Sequence, residues 1–270
     1  MDNRNLIAKV GSAKIGENIL YTDKKIFRND HLGIYFNGIF SFDDLGFAME
    51  FPSIPSAEKK IEQTNIPGGM GDAYFDLGGY KDITIPINFK AVDKNNLQAK
   101  FRKLKRIINN IIDNRLILSY DPDYCYLVQL VKPITLNQKY LIYGELTVNF
   151  VCKPNLYTVE GLEPIGKTNL LELVLEEEYE AYPLIKLISP EELITTETTV
   201  NLTINGERRT YRFSNYIIID SEEEVIYGAN GLIDEAYFVS GVGYPKLEEG
   251  INTISVDRGT FEITPRFRCL

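Results

Sequence analysis

The sequence contains no tryptophan, one histidine, three cysteines and three methionines among its 270 residues. Each shortage excludes something. The single histidine, His31, cannot build a His-based zinc site or most His-dependent hydrolytic machinery, and a loop or turn residue is its better reading. Cys125, Cys152 and Cys269 are an odd set without metal-ligand spacing, so buried or incidental thiols are expected rather than a disulfide framework. No run approaches the 18 or more apolar residues that a membrane-spanning helix needs, and the N-terminus lacks a signal-peptide core. No membrane span is therefore expected, and synthesis in the cytoplasm is.

What the chain does have points to strands. Its 17 tyrosines and 14 phenylalanines suit a pleated, half-buried surface. Hydrophobic content of 44% and charged content of 25% are those of a soluble globular protein, and the length suggests one or two domains. Charge is unevenly spread. Residues 1–157 hold 20 basic and 17 acidic side chains, a net of +3, and residues 158–270 hold 9 and 21, a net of −12. This asymmetry favours two domains with different surfaces, the second a poor nucleic-acid binder because phosphate contacts need Lys and Arg.

The stretch from Ile34 to Tyr80 is built for tight corners. Asn37-Gly38 and Asp44-Leu45-Gly46 offer positive-φ positions between short alternating apolar pieces, and Pro67-Gly68-Gly69-Met70-Gly71 reads as a glycine-rich corner or mobile loop before Gly78-Gly79-Tyr80 ends the stretch. Ile83–Phe89 alternates as a strand, and Pro86 within it implies a free edge or a bulge nearby. A helix is expected from about residue 94 to 114, because Leu97, Phe101, Leu104, Ile108 and Ile111 form one apolar stripe. Lys100, Arg102, Lys103, Lys105 and Arg106 cover much of its remainder. A solvated face on a docked helix is the plainer account of those cations, and an acidic or nucleic-acid partner the sharper one.

Further strands are expected at Arg115–Tyr120, Tyr124–Val131 and Gly144–Cys152. Asp121-Pro122-Asp123 reads as a turn and Asn137–Tyr140 as a loop. A domain boundary falls between about Tyr157 and Asn169. Beyond it come short strands at Leu184–Ile188, Thr199–Ile204, Arg209–Phe213, Tyr216–Ile219, Glu224–Tyr227, Tyr237–Val239, Asn252–Val256 and Thr260–Thr264. Asn205-Gly206 is a hairpin turn, and such spacing indicates a β-sandwich. Asn169–Glu180 reads either as a helix or as two strands around an acidic run.

One catalytic pattern fits. Gly161–Thr168 matches the phosphate-binding P-loop residue for residue, and Ile217–Asp220 resembles a strand ending in a Mg²⁺-holding carboxylate. Glu163 and Pro164 would spoil the backbone cradle, and the short antiparallel strands that follow are the wrong context. Asp121 with Asp123, and the Glu176–Glu180 run, are better explained by turn chemistry and a solvated face than as a catalytic carboxylate pair. Neither a cofactor, nor a metal, nor a catalytic residue is expected.

Taken in order, several landmarks resemble the distal tail proteins of tailed bacteriophages, the Dit family, including their equivalents in phage-tail-like bacteriocins. These are Phe36-Asn37-Gly38 with Ser41 and Gly46, Pro67–Gly71, and Gly79-Tyr80 before a strand. Next come the basic helix, Leu116–Asp121, and the strand ending Asn149–Pro154. Tyr216–Ser221 and Leu247–Ile254 complete the set, which spans roughly residues 34–268.

The resemblance implies a mainly β protein with one amphipathic helix. Residues 1–33 would be an N-terminal extension or arm, which departs from the family pattern and leaves the tail type open. Residues 34–160 would form a ring-forming β domain, and residues 161–270 a galectin-like β-sandwich. The implied role is a non-enzymatic hub at the distal end of the virion tail, made in the bacterial host's cytoplasm. A hexameric ring of self-copies would join the tail tube protein to the tail-associated hub or lysin protein and to receptor-binding or adhesion components. Specific nucleic-acid binding is not implied. Phe36, Asn37, Gly38, Gly46, Pro67, Gly68, Gly69, Met70, Gly71 and Tyr80 would be assembly elements. The alternatives are a carbohydrate- or receptor-binding tail module and, more distantly, a nucleotide hydrolase using residues 161–168.

Overall fold

The structure, a computed structural model, describes Ile7–Ala8 and residues 32–65, 67–68, 70–91, 97–140, 143–177, 179–190 and 196–269. His31, Gly69 and residues 94–96 of the expected helix lie outside them. The described residues are mainly β, with one α-helix, and fall into two compact units. Among the described residues, one takes in 32–156 and the other joins Ile7–Ala8 to Tyr157–Cys269. Ile7–Ala8 is strand β1 and belongs to the latter.

The first unit contains β2 (Ile34–Phe36), β3 (Ile39–Phe40), β4 (Phe47–Met49), β5 (Lys59–Asn65), β6 (Asp72–Tyr80) and β7 (Ile83–Ala91). After them come α1 (Leu97–Asn109), β8 (Arg115–Leu118), β9 (Asp121–Val131), β10 (Leu136–Tyr140) and β11 (Tyr143–Thr158), whose last two residues enter the second unit. Its main sheet runs β3-β2-β8-β9-β11-β7-β4, with β10 beside β11. The sheet curls, because Phe47 N–H donates to the Ser41 carbonyl (2.9 Å) and Met49 N–H to the Leu32 carbonyl (2.8 Å), drawing its two ends together.

Alternation explains β7: Ile83, Ile85, Ile87 and Phe89 are all buried. Glu50 N–H donates to the Asn88 carbonyl (2.9 Å), so the even-numbered residues of β7 turn their backbones toward β4. β4 has ended before it reaches Pro86, which leaves the proline's missing N–H uncontested.

Helix α1 buries Leu97, Phe101, Leu104 and Ile108 in the core that the sheet encloses. Thirteen residues are marginal as an isolated helix. Burying four large side chains is worth roughly 6–12 kcal/mol, so packing rather than propensity holds it. The helix stops at Asn109, short of the expected residue 114, for a reason that lies seventy residues away and is given below. Two other expectations are corrected. Leu136–Tyr140 is a strand, not a loop, drawn into register by β11 (Leu136 opposite Leu146, Asn137 opposite Glu145). The corner expected at Asp121-Pro122-Asp123 falls at Ser119-Tyr120, with Leu118 paired to Asp121. Ser119 fixes it there, since its Oγ accepts from Gly33 N–H (3.0 Å) and its own N–H donates to the Gly33 carbonyl (3.0 Å).

The second unit holds β12 (Ile165–Thr168), β13 (Leu170–Leu175), β14 (Leu184–Ile188), β15 (Thr198–Ile204), β16 (Glu207–Phe213) and β17 (Tyr216–Asp220). It continues with β18 (Val225–Gly228), β19 (Phe238–Ser240), β20 (Gly250–Val256), β21 (Thr260–Thr264) and β22 (Arg268–Cys269). One sheet runs β1-β13-β20-β15-β16-β19 and the other β12-β21-β14-β17-β18. Inward residues of both, among them Leu173, Leu202, Tyr211, Ile254, Ile185, Ile219 and Phe261, share one core, which makes the unit a β-sandwich. Asn205 (φ 51°) and Gly206 (φ 85°) form the expected tight hairpin turn. Asn169–Glu180 contains a single strand, β13, after which Glu176, Glu177 and Glu180 lie outside any strand; Glu178 lies outside the described residues.

Candidate assembly surface

The Asn37-Gly38 corner has φ of 52° and 76°, which asparagine and glycine tolerate best. The Asn37 side chain is fully engaged. Its Nδ2 donates to the carbonyls of Ile107 (2.9 Å) and Asn110 (2.7 Å), and its Oδ1 accepts from the N–H groups of Ile112 (3.0 Å) and Asp113 (3.1 Å). The amide thus takes up carbonyls that the end of α1 leaves open and turns the chain away, which is why the helix ends before Ile111. Phe36 is buried and stacks edge-on to Phe150, with ring centroids 5.2 Å apart. Gly46 (φ 68°) closes a second corner, in which its N–H donates to the Phe42 carbonyl (2.7 Å) and Asp44 Oδ2 accepts from Phe40 N–H (2.8 Å).

The other expected assembly residues sit on a different kind of structure. Among the described residues β5 and β6 pair only with each other, as a two-stranded ribbon. Pro67, Gly68, Met70 and Gly71 lie at its tip, all exposed, with Gly68 at φ 81° and Gly71 at φ 110°. Tyr80 lies half-buried at its base, opposite Lys59. Gly78 and Gly79, also at positive φ, coincide with a register shift between Lys59 and Ile61.

Side chains along the ribbon were missed by a reading centred on glycines. The pairing places Ile61, Gln63 and Tyr74 on one face and Glu62, Phe75 and Leu77 on the other. Ile61, Tyr74, Phe75 and Leu77 are 49–65% exposed, and Met70 at the tip is wholly so. The sequence signal was weak, since Lys59–Asn65 holds a single apolar residue and the adjacent aromatics Tyr74 and Phe75 fall on opposite faces. A ribbon of two strands is marginal in water, and one bearing apolar groups on both faces leaves considerable burial unrealised.

The P-loop pattern builds no phosphate cradle. Residues Glu160–Leu162 make one 3-10 turn, and Ile165–Thr168 continue as a strand paired with β21, leaving Lys167 exposed. Gly161 is there for packing: a Cβ would lie 2.5 Å from Thr158 Oγ1 and 2.8 Å from Phe267 N. Asp220 is likewise occupied, accepting both guanidinium nitrogens of Arg266 (2.6 and 3.0 Å) and the N–H groups of Glu222 and Glu223. Burial pushes its carboxyl up, but Arg266 and those N–H groups outweigh burial and hold it below the usual carboxylate range. Tyr157 OH completes the cluster by donating to Glu222 (2.6 Å). In the first unit, a void of about 20 Å³ under α1, lined by Phe36, Leu45, Leu104, Ile108 and Phe150, has room for one water at most and is no ligand site.

Comparison with known proteins gives this geometry a context. Residues 41–152, which cover most of the curled sheet, the ribbon and α1, match the family described as phage tail protein RIFT-related domain. That stretch is therefore similar to a phage tail domain. Its fold is that of a Dit protein: the crystal structure of SPP1 Dit superposes with a TM-score of 0.57 at 12% identity, over 86% of this chain and 97% of that one. SPP1 Dit is described as a paradigm of the hub adsorption apparatus in phages that infect Gram-positive bacteria. The resemblance to distal tail proteins is borne out by both findings. No curated protein sequence matches the chain.

Proposed function

We propose that this protein is the structural hub of a virion tail's distal end, with six copies closing into a ring that continues the tail tube. In this reading the first unit forms the ring, and the second is a galectin-like sandwich that projects from it. The ring then presents one side to the tube and the other to the tail-associated hub or lysin protein, with adhesion components at its periphery. No catalytic role is assigned.

The observation that carries the proposal is the β5–β6 ribbon. Ile61 and Tyr74 on one face and Phe75 and Leu77 on the other need cover from both sides. A neighbouring copy in a closed ring supplies it, because a ring repeats one heterologous contact until it closes. The tail-domain match over residues 41–152 and the Dit fold of the chain support the same role.

Negative-stain microscopy of the purified full chain at high concentration tests it, and sixfold rings are expected. The double substitution Tyr74→Asp, Leu77→Asp should abolish the rings while leaving the thermal midpoint within a few degrees. A monomeric mass by light scattering at every concentration, with no rings on the grid, would sink the proposal.

A further inference from the structure

Helix α1 has five cations and no acid in its sequence, LQAKFRKLKRIIN. Opposite its buried stripe stand Arg102, Lys103 and Arg106, all exposed and none with an acidic partner among the described residues. Arg102 and Arg106 are four apart and Lys103 and Arg106 three apart, spacings at which like charges repel. Nothing within the described chain relieves that repulsion, although the protein's net charge is −9. Just past the helix, Ile112 is 86% exposed.

The second unit carries the converse patch. Leu175 pairs with Gly250, and Ala181 bridges to Leu247, so Glu176 and Glu180 lie alongside Glu248 and Glu249. Lys246 is already shared between Glu180 (2.8 Å) and Glu248 (3.3 Å). Glu176 and Glu249 have no basic partner among the described residues. Exposed Ile251 and Tyr179 adjoin this rim. Each patch thus combines bare apolar surface with unpaired charge, the composition of an interface before it forms, and the two are opposite in sign.

From this pairing we infer that the outer face of α1 in one copy docks on the acidic rim of Glu176, Glu248 and Glu249 in the next. The inference rests on the ring reading and adds to it a contact between the first unit of one copy and the second unit of the next, since a heterologous ring contact joins two different, complementary surfaces. Such a contact also sets direction, since cation-to-cation and acid-to-acid pairings are penalised.

Zero-length carbodiimide cross-linking tests it on the full chain, using an equal mixture of ¹⁴N- and ¹⁵N-labelled protein. The expected product is an isotopically mixed cross-link joining the peptide of Lys103 and Lys105 to that of Glu176–Glu180 or Glu248–Glu249. Its yield should fall about tenfold between 0.05 and 1 M NaCl, because the pairing forms in solvent and is screened. Lys103→Glu with Arg106→Glu should weaken self-association at least tenfold, and mixing with Glu248→Lys, Glu249→Lys protein should restore it. Rings with inter-chain cross-links only elsewhere would overturn the inference and leave the ring standing. An absence of both rings and inter-chain cross-links would overturn both.

Discussion

Replacing Asn37 isolates the force that ends α1. Four hydrogen bonds of 2.7–3.1 Å converge on this one amide, two given and two accepted. At about 0.5–1.5 kcal/mol net for each bond, and with part of the set open to water, their loss costs about 2–4 kcal/mol. Asn37 also sits at φ 52°. An alanine there adds about 1 kcal/mol of backbone strain that a glycine does not. Asn37→Gly should therefore lose about 2–4 kcal/mol and Asn37→Ala about 3–5 kcal/mol, both relative to wild type. Asn37→Asp should be no better than glycine, because a carboxylate would face the carbonyl end of a helix.

Urea denaturation followed by far-UV circular dichroism and tyrosine fluorescence reads these differences. Because the two units can unfold separately, amide exchange across residues 97–109 identifies the transition that releases α1. The reasoning fails if Asn37→Gly is within ~0.5 kcal/mol of wild type, the range of an ordinary surface change. It fails as well if alanine and glycine are indistinguishable, since no strain would then be stored at the corner.

The Asp220–Arg266 pair should make the second unit acid-sensitive. Its carboxyl titrates below the ordinary value, so the stability it adds is complete above the unfolded pKa of about 3.9 and disappears as pH falls through the lower folded value. The gap in urea midpoint between wild type and Asp220→Asn should narrow from pH 5 to pH 2, and a gap that stays constant would refute the linkage. Arg266→Met, which strands the carboxylate, should cost about 2–4 kcal/mol at pH 7 by the same titration. Gly161→Ala should lose about 1–3 kcal/mol through overpacking against Thr158 and Phe267, while Gly166→Ala, with nothing within 4 Å, should stay within ~0.5 kcal/mol. Equal losses at both positions would show that the close approach at Gly161 is not what constrains it. The thiols of Cys125 and Cys152 are each pushed up to about 12 by burial, so iodoacetamide at pH 8 should leave both unmodified until denaturant is added. Alkylation of either in native protein, read by mass spectrometry, would contradict the packing around them.

What was legible in the sequence was what repeats locally. The apolar stripe of α1 and the alternation of Ile83–Phe89 show in any short window. Leu184–Ile188 and Thr260–Thr264 form strands with the bounds expected of them. What stayed hidden depended on distant partners. Leu136–Tyr140 contains Asn, Gln and Lys, residues with little strand preference, and is a strand because β11 pairs with it. The C-terminus of α1 could not be found from periodicity, since Ile111 continues the stripe and the residue that stops the helix is Asn37. The P-loop pattern shows the converse error, in which adjacent letters match a motif and the topology around them does not.

The stretch from Ile34 to Tyr80 was read as one element, and its residues now divide by what they leave unused. Phe36 is buried against Phe150, Gly46 closes a hydrogen-bonded corner, and the Asn37 amide has spent both donors and both acceptor sites on Ile107 of α1 and the turn that follows it. A partner gains nothing directly from groups already satisfied within the chain, so changes at these three should act on assembly only through folding. The ribbon is the opposite case. Its strands pair with each other along their inner edges, yet Ile61, Tyr74, Phe75 and Leu77 stay in water. At about 25 cal/mol per Å² of apolar surface, even partial cover of four such side chains and Met70 yields several kcal/mol per contact, realised only when another surface arrives. Asn37→Gly should accordingly lower stability and ring yield together, and Tyr74→Asp with Leu77→Asp should remove the ring from a protein that is still folded.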